Sequence, residues 1–155
     1  MVWSPRVTVA AVVEREGRYL VVEEYVDERL AINQPAGHLE EGEDLIEAVR
    51  REVLEETGWR FEPEALVGVY LYRRSHPSRT YLRFCFCGRV TLHDAGRPLD
   101  PAIVRASWLT RAELSARQSE MRSPLVLRAV DDHIGGARFP LSLLASLADR
   151  RSDWP

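Results

Sequence analysis

An α/β layered sandwich around a mixed sheet is predicted from three features of the chain. Apolar, β-rich runs occupy residues 7–13, 19–24, 66–72 and 80–90. Between the second and third of them lies one strongly amphipathic helical pattern, bounded by Asp44 and Gly58. Two more helix starts follow the last long strand, at Thr110 and at Ser123-Pro124. Strands on both sides of a helix, with helices at the end, bury their apolar faces as helix layers on a sheet. With 155 residues, 45% hydrophobic and 29% charged, the chain is expected to be one domain, core about 7–144, with a frayed tail at 149–155.

Taken in order, residues 7–13 (VTVAAVV) and 19–24 (YLVVEE) flank a turn at 14–17, which predicts a hairpin. Residues 26–32 show no clear period, and 33–37 (NQPAG) make an irregular approach to the helix. Asp44 can cap that helix with Glu47 reaching back, and Gly58 supplies the stop. Its apolar stripe is Leu45, Ile46, Val49 and Val53. Residues 60–64 predict a polar turn around Pro63, 66–72 a strand, and 73–79 a basic loop. In 80–90 the alternation puts Tyr81, Arg83, Cys85 and Cys87 on one face and Leu82, Phe84 and Phe86 on the other. A loop at 93–100 and a short strand at 106–109 precede a capping box from Thr110 to Glu113. Ser123 caps a last helix with Pro124 at its first position, ended near Ile134 by Gly135-Gly136. Residues 138–147 are moderately apolar and are expected to pack as a flap.

Composition narrows the function. No basic start followed by an apolar run, and no stretch near the ~20 apolar residues of a membrane helix, gives the expectation of a soluble cytoplasmic protein. A net charge of −3 argues against a general nucleic-acid binder. Cys85 and Cys87 are too few for a disulfide framework or zinc site and are read as reduced core residues. All 21 basic residues are arginine, so any phosphate clamp beyond a metal must be guanidinium or backbone.

The charge is concentrated in residues 37–59, where eight carboxylates stand against two arginines. On the helix, Glu52, Glu55 and Glu56 converge at one border of the apolar stripe. Like charges at that spacing repel, and partial burial sharpens the repulsion. A divalent cation relieves it, and oxygen-only ligands favour a hard ion, Mg²⁺ with Mn²⁺ as substitute. A solvated acidic helix with i,i+4 pairs such as Arg51 to Glu55 is the plainer reading of the charge run alone.

The full pattern is more specific. Gly37, five residues, Glu43, seven residues, then Arg51-Glu52-Val53-x-Glu55-Glu56-x-Gly58-Trp59 resembles the signature box of the Nudix hydrolases at every specified position. That resemblance implies an α/β/α sandwich in which a loop–helix–loop holds Mg²⁺. It implies Glu52, Glu55 and Glu56 as metal ligands, joined by the Gly37 carbonyl. Arg51 and Glu43 become the pair that braces the loop and orients the carboxylates. One departure is Ala36, where most members carry a second glycine. Residues 7–12, 17–24, 33–38, 82–86 and 122–126 resemble the NudJ-type phosphatase branch. Its members hydrolyse nucleoside tri- and diphosphates and thiamine-related pyrophosphates, including hydroxymethylpyrimidine pyrophosphate, and release orthophosphate.

The expected partner is therefore a small-molecule pyrophosphate, with no nucleic acid or membrane, acted on by a monomer or homodimer. Glu52 is the first choice for a joint ligand and base role, with Glu23, Glu24, Asp94 and Asp100 as acids from elsewhere. Candidate substrate contacts are Gln34, His38, Tyr81 and Arg83, with Asn33 and Tyr72 beside them. Arg83 either pairs with a carboxylate at a sheet rim or faces the substrate's phosphate or base. Other Nudix specificities (nucleotide-pool sanitising, dinucleoside polyphosphate or nucleotide-sugar hydrolysis) and a non-catalytic ligand sensor are the alternatives. A sensor would be expected to have lost a box glutamate, and none is lost.

Overall fold

The computed structural model describes residues 2–76 and 78–147; the tail expected to fray at 149–155 lies outside them. Five strands build a mixed sheet. β1 (Arg6–Arg15) is an interior strand, antiparallel to β4 (Ala36–His38) on one side and parallel to β6 (Arg79–His93) on the other. β5 (Trp59–Arg74) pairs antiparallel with β6 and receives the two-residue β8 (Phe139–Pro140) on its far edge. A smaller antiparallel sheet places β2 (Arg18–Val26) between β3 (Arg29–Asn33) and β7 (Ile103–Thr110). The expected hairpin of β1 and β2 holds only at its tip, Glu14↔Tyr19 and Arg15↔Arg18, after which the strands part into separate sheets.

The helices cover opposite faces of the mixed sheet. α1 (Leu45–Thr57) buries Ala48, Val49 and Val53 against Val9, Ala11, Leu66 and Phe86. α3 (Leu125–Ile134) buries Ala129 and Val130 against Ala10, Val12, Cys85 and Cys87, joined there by Leu114 of α2 (Arg111–Ala116). The alternation of β6 thus splits as predicted, cysteines toward α3 and Phe86 toward α1. Each fully buried Val or Leu adds roughly 1.5–3 kcal/mol of apolar transfer. Both faces are therefore needed to hold β1 at the centre.

Local signals at the helix ends hold. The Asp44 side chain accepts from the backbone of Ile46 and Glu47, while the Glu47 carboxylate accepts from Asp44 N–H. Thr110 and Glu113 close the second capping box. At α3 the expectation shifts by one residue: the N-cap is Pro124, not Ser123, with Leu125 N–H donating to Ser123 Oγ at 3.3 Å. Gly58 ends α1 in the left-handed region at φ 74°, its N–H on the Leu54 carbonyl.

Three readings of the sequence change. Residues 60–64 are strand rather than turn: β5 is continuous from Trp59, and its register shifts at Trp59/Phe61, Pro63/Ala65 and Leu66/Gly68 absorb the polar residues and the proline that lacks an N–H. The region 26–32 is a second hairpin, turning through Asp27 and Glu28 at φ 48° and 64°. Two consecutive positive φ values are the mark of a tight hairpin turn normally signalled by Asn-Gly or Asp-Gly. His93 also belongs to β6, not to the following loop. The 138–147 segment does dock, with β8 on β5 and Leu141 and Leu144 packed on the α1 side.

A Cβ added at Gly58 would stand 2.9 Å from the Asp94 carbonyl oxygen, in addition to the strain of its positive φ. Gly58→Ala should therefore lower unfolding free energy by at least about 1–2 kcal/mol in urea titration.

Candidate active site

The acidic helix comes to rest on Arg51. Its Nε and Nη2 grip both oxygens of Glu43 at 3.0 and 2.7 Å, and Nη2 also donates to the His38 carbonyl at 3.0 Å. Nη1 stands 2.8 Å from Glu52 Oε1 and 3.3 Å from Glu55 Oε2. The expected Arg51–Glu43 pair is thus formed, and two box carboxylates share one cationic nitrogen. Glu43 is held below the usual carboxylate range by the Arg51 guanidinium.

Glu56 is the third. It is 7% exposed, and its Oε2 accepts from Ala36 N–H at 2.9 Å, which ties α1 to β4. Burial, with the charge of Glu52 behind it, pushes its carboxyl up to about 9. Glu52 is also raised, by burial first and by the charges of Glu55 and Glu40, against the pull of Arg51. Gly37 faces this group directly, because a Cβ there would collide with the Glu52 carboxylate. Among the described residues no three His, Cys, Asp or Glu side chains are closed to coordination distance. The donor set nonetheless fits a hard divalent ion. Its oxygens are crowded, partly desolvated and short of positive charge, and a backbone glycine is packed against one of them.

Beside the glutamates opens a cleft of about 210 Å³ that shares Ala36 and Gly37 with the box. Its wall includes His38, Tyr81 and Arg83 from the predicted contacts, with Asn33 and Tyr72. Tyr72 and Tyr81 stack across β5 and β6, ring centroids 6.4 Å apart. His38 sits at the rim, its imidazole held below the usual histidine range by partial burial and by Arg6, Arg79 and Arg83. Arg83 is 9% exposed, and among the described residues no carboxylate lies within ion-pair distance of it; its Nε and Nη1 have no hydrogen-bond partner. Burial depresses the guanidinium. Thr8 Oγ1 and Asn33 Oδ1, on the same wall, are likewise unpartnered.

Gln34 is not brought to the cleft wall. It is buried, with its amide donating to the Val126 carbonyl at 2.7 Å, so it locks α3 to the end of β3. The wall also holds Thr8, Arg74, Arg122 and Ser123, which sequence reasoning did not single out. For Arg122-Ser123 a signal existed, since a basic residue before a capped helix start marks an anion-friendly end. For Thr8 there was none, because only the β1–β6 register sets it against Arg83.

The four acids kept open as bases separate clearly. Glu23 is fully buried, bonded to Arg105 and, at 2.5 Å, to Arg117 Nη2. Asp94 is spent on Gly96 N–H in the loop after β6. Asp100 accepts from Ala102 N–H and borders an open hollow with Glu55 and Arg97. Glu24 lines the cleft, with Arg122 Nε at 3.5 Å.

Among known proteins, the chain matches the family model described as NUDIX domain over residues 4–129. It is 36% identical over 154 residues to the Phosphatase NudJ of Escherichia coli, covering 99% of this chain and 95% of that protein. The same figures hold for the Phosphatase NudJ of Shigella sonnei. A solved NUDIX hydrolase from Nitrosomonas europaea superposes with a TM-score of 0.92 at 48% identity, covering 93% of this chain and 98% of that one. A MutT NUDIX hydrolase from Burkholderia pseudomallei, at TM-score 0.71 and 20% identity over 84% and 98% of the two chains, shares the fold.

The Glu23 cluster carries a stability test. Its carboxyl is held below the usual range by the hydrogen bond from Arg105, with Arg117 adding to it. A depressed folded-state pKa stabilises above the unfolded value, near 4.3, and is lost as pH falls through the folded one. Unfolding midpoints in urea should decline from pH 5 toward pH 3. Glu23→Gln should flatten that decline, cost about 1–3 kcal/mol at pH 7 and leave turnover per folded molecule unchanged.

Proposed function

The chain belongs to the Nudix hydrolase family and is a hydrolase acting on phosphoanhydrides, and from that premise we propose a Mg²⁺-dependent enzyme that releases orthophosphate from small-molecule pyrophosphates. Nucleoside tri- and diphosphates are the proposed substrates, with thiamine pyrophosphate and hydroxymethylpyrimidine pyrophosphate as further ones. The NudJ relatives, named as phosphatases, favour this branch. The observation that carries the reading is the crowding of Glu52 and Glu55 on one guanidinium, with the buried Glu56 held beside them by Ala36 N–H, next to an arginine-lined cleft.

In this reading Glu52, Glu55, Glu56 and the Gly37 carbonyl hold the ion. When bound, Mg²⁺ or Mn²⁺ supplies neutralisation of the phosphoryl charge and activation of the attacking water. Arg51, fixed by its bidentate grip on Glu43, keeps Glu52 aimed along the helix edge. Glu52 accepts the proton of the water that attacks phosphorus in line. The new O–P bond forms as the bridging P–O bond breaks, and the bridging oxygen leaves with its electron pair. His38, Tyr81 and Arg83 contact the substrate from the cleft wall, while Gln34 supports that wall from behind.

Incubation with nucleoside diphosphates and Mg²⁺ should yield orthophosphate, abolished by EDTA and restored by Mg²⁺. Pyrophosphate plus a monophosphate from a triphosphate would reject the orthophosphate assignment. Glu52→Gln and Glu56→Gln should each lower kcat by about 10²–10⁴-fold. The fold should persist, since the amide oxygen introduced by Glu56→Gln still accepts from Ala36 N–H. Turnover near wild type in either variant would refute the ligand assignment.

A further inference from the structure

Among the described residues no carboxylate pairs with the buried cation Arg83, whose Nε and Nη1 are unpartnered, and its position in the sheet says what it awaits. It lies on β6 between Thr8 of β1 and Tyr70 of β5, so its backbone is enclosed on both sides by strands. An unpaired buried charge is costly, and one retained at a cleft wall calls for an anion. The surroundings agree. Arg122 and Arg74 line the same cleft against one carboxylate, Glu24, and the ten-residue α3 turns its positive N-terminal end toward it through Ser123 and Leu125. The Thr8 hydroxyl, able to donate to an anion, is unpartnered on the same wall.

The cleft holds about 210 Å³, room for a phosphate group, and it opens outward. Because the floor is sheet, a phosphate entering it can carry a substituent on its outer side only. Ala36 and Gly37 line the cleft and adjoin Glu56 and Glu52, so a phosphate chain leading out of the cleft on that side would pass the carboxylate box.

We infer that Arg83 is a specificity-determining residue: its guanidinium at the floor of the cleft clamps a terminal phosphate monoester and shuts out phosphates substituted on both sides. This rests on the hydrolase reading above and says why a triphosphate would lose orthophosphate rather than pyrophosphate. Dinucleoside polyphosphates and nucleotide sugars, which have no terminal phosphate, are poor substrates on this account.

The clamp can be tested apart from the ion. In EDTA, binding of methyl phosphate and dimethyl phosphate is measured by calorimetry or NMR on the wild type and on Arg83→Gln. A bidentate, charge-assisted contact should make methyl phosphate about 10- to 100-fold tighter than dimethyl phosphate on the wild type. Arg83→Gln should lose that margin while its Mg²⁺ affinity stays unchanged and its Tm does not fall, since an unpaired buried charge is removed. Equal binding of the two esters by the wild type overturns the clamp, and that arm needs no variant. Wild-type turnover of a nucleoside diphosphate by Arg83→Gln overturns it too, with the hydrolase reading left standing. Methyl phosphate bound through Arg83 by a protein that turns nothing over with Mg²⁺ supports the clamp and sinks the hydrolase reading.

Discussion

Four carboxylates on one loop and one helix, Glu40, Glu43, Glu52 and Glu55, stand within 3.7 Å of the Arg51 guanidinium. Without that shared counter-charge the loop before α1 and the last turns of α1 would repel each other. With it, the loop is pinned to the helix at both ends, by Glu43 and by the His38 carbonyl. The guanidinium is planar and many-armed, which lets it serve several oxygens at once in a way an ammonium group does not. It leaves the cluster negative, and the most buried member, Glu56, is answered among the described residues by the Ala36 N–H alone.

Across β4 the imbalance reverses. The cleft has three arginines and one glutamate, and the deepest arginine is unpaired. A surplus of negative oxygens beside a surplus of guanidinium, separated by a short strand, is the charge pattern of a site for a cation and a polyanion together. Neither half is at its electrostatic optimum alone. That cost is borne by the two apolar layers, where α1 and α3 hold β1 and β6 in register from opposite faces.

Much of this was visible in the sequence where the determinants are local. The caps of α1 and α2, the left-handed Gly58 and the apolar stripe depend on residues a few positions apart, and so does the sharing of one face by Arg83 and the two cysteines. What escaped was set by distant pairing. Pro63 suggested a turn, but β6 imposes a bulged strand on it. Glu23 looked like a free acid until Arg105 and Arg117, more than eighty residues away, took both its oxygens. Gln34 sits two residues before Ala36, yet its amide faces α3 instead of the cleft. The acidic cluster was legible because a helix brings its members together by spacing alone; the arginine-lined wall was legible only in part, because it draws on residues from Thr8 to Leu125.

Cys85 and Cys87 follow Arg83 on the same face of β6, fully and almost fully buried, and burial raises both thiols, Cys85 to about 12. The reactive thiolate is thus suppressed twice over, by acidity and by enclosure under α3. These two sulfurs become accessible to an alkylating reagent only when that helix lifts from the sheet. Modification kinetics at the pair would therefore time the opening of the layer next to the phosphate clamp, a clock built into the chain that requires no label near the carboxylates.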